Sequence, residues 1–80
     1  YVYTPCGVID VLTDDAIYEV EYDLSTARAH SAIGKLLVLR LARPGRKLVI
    51  ACQKVTTPRR MIEAINGMGI EIIALDSTMP

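Results

Sequence analysis

Apolar and polar residues alternate in blocks along the chain, and the first blocks predict a β-hairpin. Segments 8–12 and 16–22 are rich in β-branched, aliphatic and aromatic residues, which is typical of strands. The stretch 13–15 between them reads Thr-Asp-Asp, which is turn chemistry. We therefore expect the two segments to form antiparallel strands joined by a tight turn.

The register of this hairpin brings carboxylates together inside strands that otherwise look buried. A two-residue loop at Asp14 and Asp15 sets Asp10 directly opposite Glu19, and Glu21 lies two residues further along on the same face. Like charges that face each other across a strand pair destabilise it, so the pair requires a compensating cation or a raised pKa. Mg²⁺ (or Mn²⁺) is the simplest such cation, because Mg²⁺ takes one or two protein carboxylates and leaves room for a substrate phosphate. The alternative is an ordinary acidic hairpin surface that faces solvent.

After the hairpin, helical and strand patterns alternate. The predicted elements are a helix over about 26–41, a strand over 47–51, a helix over about 58–66 and a strand over 70–75. Asp23 or Ser25 is the expected cap of the first helix, and the second begins with Thr57 as cap and Pro58 at the first helical position. Strands that alternate with helices imply parallel pairing. The expected fold is a three-layer α/β domain with a mixed β-sheet, in the order hairpin, helix, strand, helix, strand.

A polar line runs through the otherwise apolar first helix. Arg28, Ser31 and Lys35 recur at helical spacing and share one face. We expect this line to face the carboxylates of the hairpin. His30 is interpreted as a packing or surface residue, because the proposed chemistry does not require it.

Length and composition restrict the class of protein. Eighty residues are expected to form one small domain. No apolar run reaches the ~18 residues of a membrane span, and no signal segment is recognisable, so a cytoplasmic protein without membrane contact is expected. Cys6 and Cys52, with a single His, are too few for a disulfide framework or a structural zinc site, and both are interpreted as small buried residues.

Charge is distributed unevenly although the formal net charge is zero. Residues 1–27 carry six acids and no Lys or Arg, whereas residues 28–80 carry nine bases and three acids. An acidic cluster that holds a metal, within a basic remainder, suits an enzyme that acts on a polyanion such as a nucleic acid. The alternative is that the bases only balance the acids on a solvated surface.

Together these segments resemble the core of the PD-(D/E)xK, or restriction-endonuclease-like, nuclease superfamily. The resemblance extends from Gly7 to about Leu75 and rests on a Gly-x-x-Asp strand, a tight turn and a strand with an apolar-Glu-x motif. It implies that Asp10 and Glu19 bind metal. The superfamily's lysine is replaced by Glu21, so the motif here is Glu-x-Glu. The first helix of the superfamily is absent, so the chain is expected to be a minimal domain or a fragment without that helix.

The resemblance implies a metal-dependent endonuclease that hydrolyses DNA. Asp10 and Glu19 would hold Mg²⁺ (or Mn²⁺), and Glu21 would share a metal or act as a base toward water. Lys35, where relatives often have Gln, would orient the nucleophile or stabilise the developing charge. The expected phosphate contacts are Arg28, Arg59 and Arg60, the last two in the first turn of the second helix, where amide donors favour anions. Equally, these arginines could be plain surface charges.

Two other functions stay open at this point. One is a catalytically degenerate nuclease-fold domain that binds nucleic acid or a protein partner, which the loss of the motif lysine favours. The other is a small α/β regulatory domain with no role toward nucleic acid. A homodimer that cuts both strands of a duplex is a further expectation for a nuclease of this size.

Overall fold

Six strands and two helices follow one another in the computed structural model, which describes residues 1–75. The elements are β1 (Val2–Thr4), β2 (Gly7–Ile9), β3 (Val11–Leu12), β4 (Ala16–Leu24), α1 (Thr26–Leu39), β5 (Lys47–Val55), α2 (Arg59–Gly67) and β6 (Ile70–Ala74). Strands β1 and β2 form a separate antiparallel pair, and the other four form one sheet in the order β3-β4-β5-β6. Strand β3 is antiparallel to β4, whereas β4, β5 and β6 are parallel. The predicted mixed α/β sheet is confirmed.

The predicted hairpin is present, but its first strand is interrupted. Leu12 pairs with Ile17, as a two-residue loop requires. The single strand expected over 8–12 is instead two strands, because the chain bends at Asp10. On the amino-terminal side of the bend, β2 pairs with β1 and not with β4. Strand β1 was not predicted from the sequence.

Helix α1 begins where its cap was expected. Ser25 has an extended backbone, and its hydroxyl accepts a hydrogen bond from the backbone N–H of Arg28 at 3.3 Å. This bond satisfies one of the amides that the first turn of a helix leaves without a partner. The helix ends at Leu39, two residues before the predicted end, and a turn leads to Gly45, whose φ of +85° favours glycine.

The start of α2 differs from the prediction. Pro58, with an extended backbone, is the cap residue and provides no side-chain hydrogen bond. The hydroxyl of Thr57 instead lies 3.1 Å from the hydroxyl of Thr26, so it links the approach to α2 to the first turn of α1. Thr57 therefore joins two elements and does not cap the helix that follows it.

Both helices pack against the same face of the sheet. Ile17, Leu48 and Ile70 lie side by side in register on that face and belong to one buried cluster with residues of α1 and α2. On the opposite face Val20 and Ile73 are exposed. Residues 1–75 thus form two layers and not the predicted three, because no described element covers the second face of the sheet.

The buried cluster is almost entirely aliphatic. Its largest fully buried side chains are Ile9, Ile17, Leu24, Leu36, Leu39, Ile50, Ile65 and Ile70, with Cys52. Both cysteines are free thiols, Cys52 buried as expected and Cys6 half-buried. Neither helix in residues 1–75 has the length and apolar character that crossing a membrane requires. Against this apolar background, one buried carboxylate stands out on the helix-covered face of β4.

Candidate functional site

Two carboxylates meet where the bend before β3 approaches the middle of β4. Glu19 lies on the sheet face that α1 covers, beside Ile50 of β5, and only 6% of its surface is exposed. Asp10 lies at the bend, and its Oδ2 accepts a hydrogen bond from the backbone N–H of Val20 at 2.9 Å. The bond fixes the Asp10 carboxylate at the edge of β4, next to Glu19.

Helix α1 contributes a cation to the same place. The Nζ atom of Lys35 lies 3.1 Å from Oε1 of Glu19 and 3.9 Å from Oδ1 of Asp10. The ammonium is thus within ion-pair distance of both carboxylates, and its side chain remains partly exposed to solvent. The polar line predicted on this helix therefore faces the acidic residues, at least at Lys35.

One oxygen of Glu19, the buried Oε1, has Lys35 as its partner in residues 1–75. The ammonium lies 3.1 Å away, although its direction is not that of an ideal hydrogen bond. Buried polar atoms are nearly always paired with protein groups or with ordered water. Lys35 is therefore the cation that compensates the buried carboxylate in this structure.

Burial dominates the protonation of Glu19. It raises the pKa of the Glu19 carboxyl to about 6 from an ordinary value of 4.5, the nearby Asp10 carboxylate raises the pKa further, and Lys35 opposes the shift. Burial lowers the pKa of Lys35, but the neighbouring carboxylates, first among them Glu19, more than offset this effect. The pKa of Lys35 is consequently raised, and the ammonium stays charged at neutral pH.

Glu21 and Arg28 form a second ion pair one step along β4. Nη1 of Arg28 lies 3.3 Å from Oε1 of Glu21 and donates a hydrogen bond to it. The Arg28 side chain is 60% exposed, whereas Glu21 is largely covered. Two residues predicted for separate tasks, base or metal ligand and phosphate contact, thus neutralise each other in this structure.

Arg59 and Arg60 lie apart from the carboxylates. Both are exposed in the first turn of α2, and neither forms an ion pair with another residue in the range 1–75. The Thr26–Thr57 contact brings the starts of α1 and α2 together at the carboxyl end of β4 and β5. The two arginines therefore lie beyond Glu21 as β4 is followed from Glu19 toward its carboxyl end.

The hydrogen bond that holds Asp10 in position was not predicted. The donor is the backbone N–H of Val20, and any residue except proline would supply it, so the sequence has no signal for this bond. The pairing of Glu21 with Arg28 was also missed, although the two residues are seven apart across the junction of β4 and α1. His30, interpreted as a packing or a surface residue, is exposed and so belongs to the surface.

The donor set fits a hard divalent cation. Residues 1–75 contain no group of three or more His, Cys, Asp or Glu side chains arranged to hold a metal. Mg²⁺ does not require such a group, because it usually binds one or two carboxylates and keeps several waters. The two carboxylates of Asp10 and Glu19 match this pattern, whereas the site has none of the nitrogen or sulfur ligands that zinc sites usually include.

Comparisons with known protein families, with characterised proteins and with solved structures give no match for this chain. The chemistry of the site therefore follows from its own residues. These are Asp10, whose carboxylate the Val20 amide holds, the buried Glu19, and the charged Lys35 within ion-pair distance of both.

Proposed function

We propose that this protein is a metal-dependent nuclease with a restriction-endonuclease-like core that hydrolyses phosphodiester bonds in DNA. The observation that carries the proposal is the convergence of Asp10, the buried Glu19 and Lys35 at one edge of β4. The order of hairpin, helix, strand, helix and strand supports the proposed core.

Asp10 and Glu19 would hold Mg²⁺ (or Mn²⁺). When bound, such an ion lowers the pKa of a coordinated water and neutralises charge on the scissile phosphate. The hydrogen bond from Val20 restricts the Asp10 carboxylate, and the strand backbone restricts Glu19, so both ligands are positioned before the substrate arrives. This preorganisation favours a specific site over a chance pair of surface acids.

Lys35 would act on the phosphate and not as a base. Its raised pKa keeps the ammonium protonated at neutral pH, so it can donate hydrogen bonds but cannot accept a proton. An ammonium has three donors, and the Lys35 side chain is partly exposed to solvent, so a substrate phosphate would be able to approach it. We infer that Lys35 orients the attacking water or stabilises the negative charge that develops on the phosphate oxygens.

The Glu21–Arg28 pair would change partners when the substrate binds. The guanidinium of Arg28 is mostly exposed, so it can turn from Glu21 to a phosphate. Glu21 would then be available to share a metal or to act as a base toward water. Arg59 and Arg60 would contact more distant phosphates along the same strand. A homodimer would supply two such sites for the two strands of a duplex, and light scattering would test for it.

Incubation with plasmid and branched DNA in the presence of Mg²⁺ tests the proposed activity. We expect the wild type to nick these substrates, EDTA to abolish nicking, and Asp10→Ala to reduce the rate by at least about 100-fold. Asp14→Ala is the matched control, since Asp14 is an exposed acid of the hairpin loop and should keep the wild-type rate. Equal rates for wild type and Asp10→Ala would rule out the proposed site.

A second candidate is a degenerate nuclease-fold domain that binds nucleic acid or a protein partner without cleaving. The observation that favours it is the ion pair of Glu21 with Arg28 at the position where the superfamily has lysine. DNA binding without cleavage would support this candidate. If the protein binds neither divalent metal nor DNA, a small α/β regulatory domain becomes the best description.

A further inference from the structure

We propose that Lys35 is an exchangeable counter-ion: its ammonium pairs with both carboxylates of the candidate site, and a divalent cation that binds there displaces it toward the substrate. The inference rests on the proposed function and adds the way in which that site is regulated. Three observations carry it, namely the position of the ammonium, the oxygen of Asp10 that remains for a metal, and the partial exposure of the Lys35 side chain.

The ammonium of Lys35 lies where a cation shared by the two carboxylates would bind. Its Nζ atom is 3.1 Å from Oε1 of Glu19 and 3.9 Å from Oδ1 of Asp10. Glu19 is only 6% exposed, and a carboxylate that is buried in the ionised state requires a cation beside it. Among residues 1–75, Lys35 is the only cation within ion-pair distance of Glu19. The lysine therefore holds the place that the metal would take.

The hydrogen bond from Val20 decides which oxygen of Asp10 a metal would use. The Val20 amide donates to Oδ2 of Asp10 at 2.9 Å, so Oδ1 is the oxygen of this carboxylate that remains for a metal. Oδ1 is also the oxygen that Lys35 faces. A metal bound by both Asp10 and Glu19 and the ammonium cannot share this place without strong repulsion between their positive charges. Binding of the metal thus requires Lys35 to move away.

The side chain of Lys35 has a route out of the site. Its exposed fraction is 37%, whereas that of the Glu19 side chain is 8%. Lysine has a flexible four-carbon stem, so the ammonium can turn into solvent while the backbone of α1 stays in place. A released ammonium is free to donate to a substrate phosphate. By linkage, a phosphate that holds Lys35 outside the site would strengthen metal binding, so metal and DNA would bind cooperatively.

Isothermal titration of Mg²⁺ or Mn²⁺ at constant ionic strength tests the competition without any cleavage. We expect the neutral variants Lys35→Met and Lys35→Gln each to bind the metal at least about tenfold more tightly than the wild type, because the competing charge is removed. Lys35→Arg keeps the charge and should bind no more tightly than the wild type. Lys54→Met, at an exposed lysine of β5, should stay within about twofold of the wild-type affinity.

Acylation of lysines in the wild type measures the release of the ammonium and does not depend on a variant that folds. The metal should raise the acylation rate of Lys35 at least about threefold and change that of the exposed Lys54 by less than about 1.5-fold. Mass spectrometry of the digested protein measures both rates. In Asp10→Ala, the metal should have no effect on Lys35. An unchanged Lys35 rate in the metal-bound wild type, or equal metal affinity in the wild type and both neutral variants, would overturn the exchange.

Plasmid nicking by the same proteins separates this inference from the proposed function. Metal-dependent release of Lys35 without cleavage of any DNA would support the exchange and contradict the nuclease. Metal-dependent cleavage with a Lys35 acylation rate that the metal leaves unchanged would support the nuclease and overturn the exchange. Tighter metal binding by the neutral variants, together with release of Lys35 and cleavage by the wild type, is the result we expect.

Discussion

At the scale of single residues, Glu19 combines burial with charge, and this combination has a cost. The pKa of the Glu19 carboxyl is about 6 in the folded protein, whereas the ordinary value for an unburied glutamate is 4.5. The folded state therefore holds the proton more tightly. A raised pKa contributes stability that is fully present below pH 4.5 and is lost as the pH rises through 6. A shift of this size corresponds to about 2 kcal/mol.

The pH dependence of stability tests the burial of Glu19. In metal-free buffer, the free energy of unfolding of the wild type relative to Glu19→Gln should fall by about 2 kcal/mol between pH 4 and pH 7, because glutamine does not titrate. Urea denaturation at several pH values measures it. Glu63→Gln, at an exposed carboxylate of α2, is the control. A wild type that gains stability relative to Glu19→Gln over this range would contradict a raised pKa.

Lys35 is the residue that should separate catalysis from folding. We expect Lys35→Met to lower the rate of DNA nicking at saturating Mg²⁺ by about 100-fold or more, because the ammonium that stabilises the developing charge is removed. Lys54→Met, at an exposed lysine of β5, should change the rate by less than about threefold. A Lys35→Met protein that is folded and fully active would show that the lysine only balances Glu19.

At the scale of elements, two glycines should respond in opposite ways to alanine. Gly7 begins β2 with φ of +130°, which residues with a side chain rarely adopt, so Gly7→Ala should destabilise the fold by about 1–3 kcal/mol although its Cβ would only touch Leu39, at 3.5 Å. Gly34 lies in α1 with open space around it, so Gly34→Ala should stabilise by about 1 kcal/mol. Thermal unfolding of both variants measures the difference, and the reverse order would contradict the described start of β2.

The cap of α1 provides a second prediction at this scale. Ser25→Ala removes the acceptor for the Arg28 amide and should cost about 1 kcal/mol. Ser31→Ala, in the exposed middle of the same helix, should be neutral or slightly stabilising because alanine has the higher helix propensity. Circular dichroism during urea unfolding compares the pair. Equal effects of the two substitutions would mean that Ser25 does not cap the helix.

The pattern of apolar residues was sufficient to predict the main strands and helices. It was insufficient where a side chain takes a hydrogen bond that the backbone would otherwise make. Turn chemistry predicted the Leu12–Ile17 register, and Ser25 was one of two predicted caps. The bend at Asp10 was not predictable. There the N–H of Val20 donates to the Asp10 carboxylate and not to the backbone of a paired strand. Threonine is a common cap residue, but the hydroxyl of Thr57 contacts the hydroxyl of Thr26. Only the tertiary structure brings these two residues together.

At the scale of the whole molecule, three layers were predicted and residues 1–75 form two, and strand β5 explains the difference. The apolar run of β5 predicted a strand covered on both faces. Val49 is indeed only 2% exposed, yet it lies on the face without a helix, between Tyr18 of β4 and Glu71 of β6. Neighbouring strands therefore bury it, and a run of apolar residues in a central strand does not by itself indicate two helical layers.

The candidate site was predictable to the extent that it depends on spacing. Turn length set Asp10 opposite Glu19, and helical periodicity placed Lys35 on the face that approaches them. The partner of Glu21 could not be predicted, because the 3.3 Å contact joins the end of β4 to the first turn of α1 and depends on how the helix packs on the strand. The identity of the acids thus followed from the sequence, and their partners required the three-dimensional structure.

Isothermal titration of Mn²⁺ or Mg²⁺ into the wild type and into Asp10→Ala tests the central claim most directly. We expect the wild type to bind the cation, Asp10→Ala to lose that binding, and Asp14→Ala, a loop carboxylate, to retain it. The absence of metal binding in the wild type, or equal binding in wild type and Asp10→Ala, would contradict a metal site formed by Asp10 and Glu19.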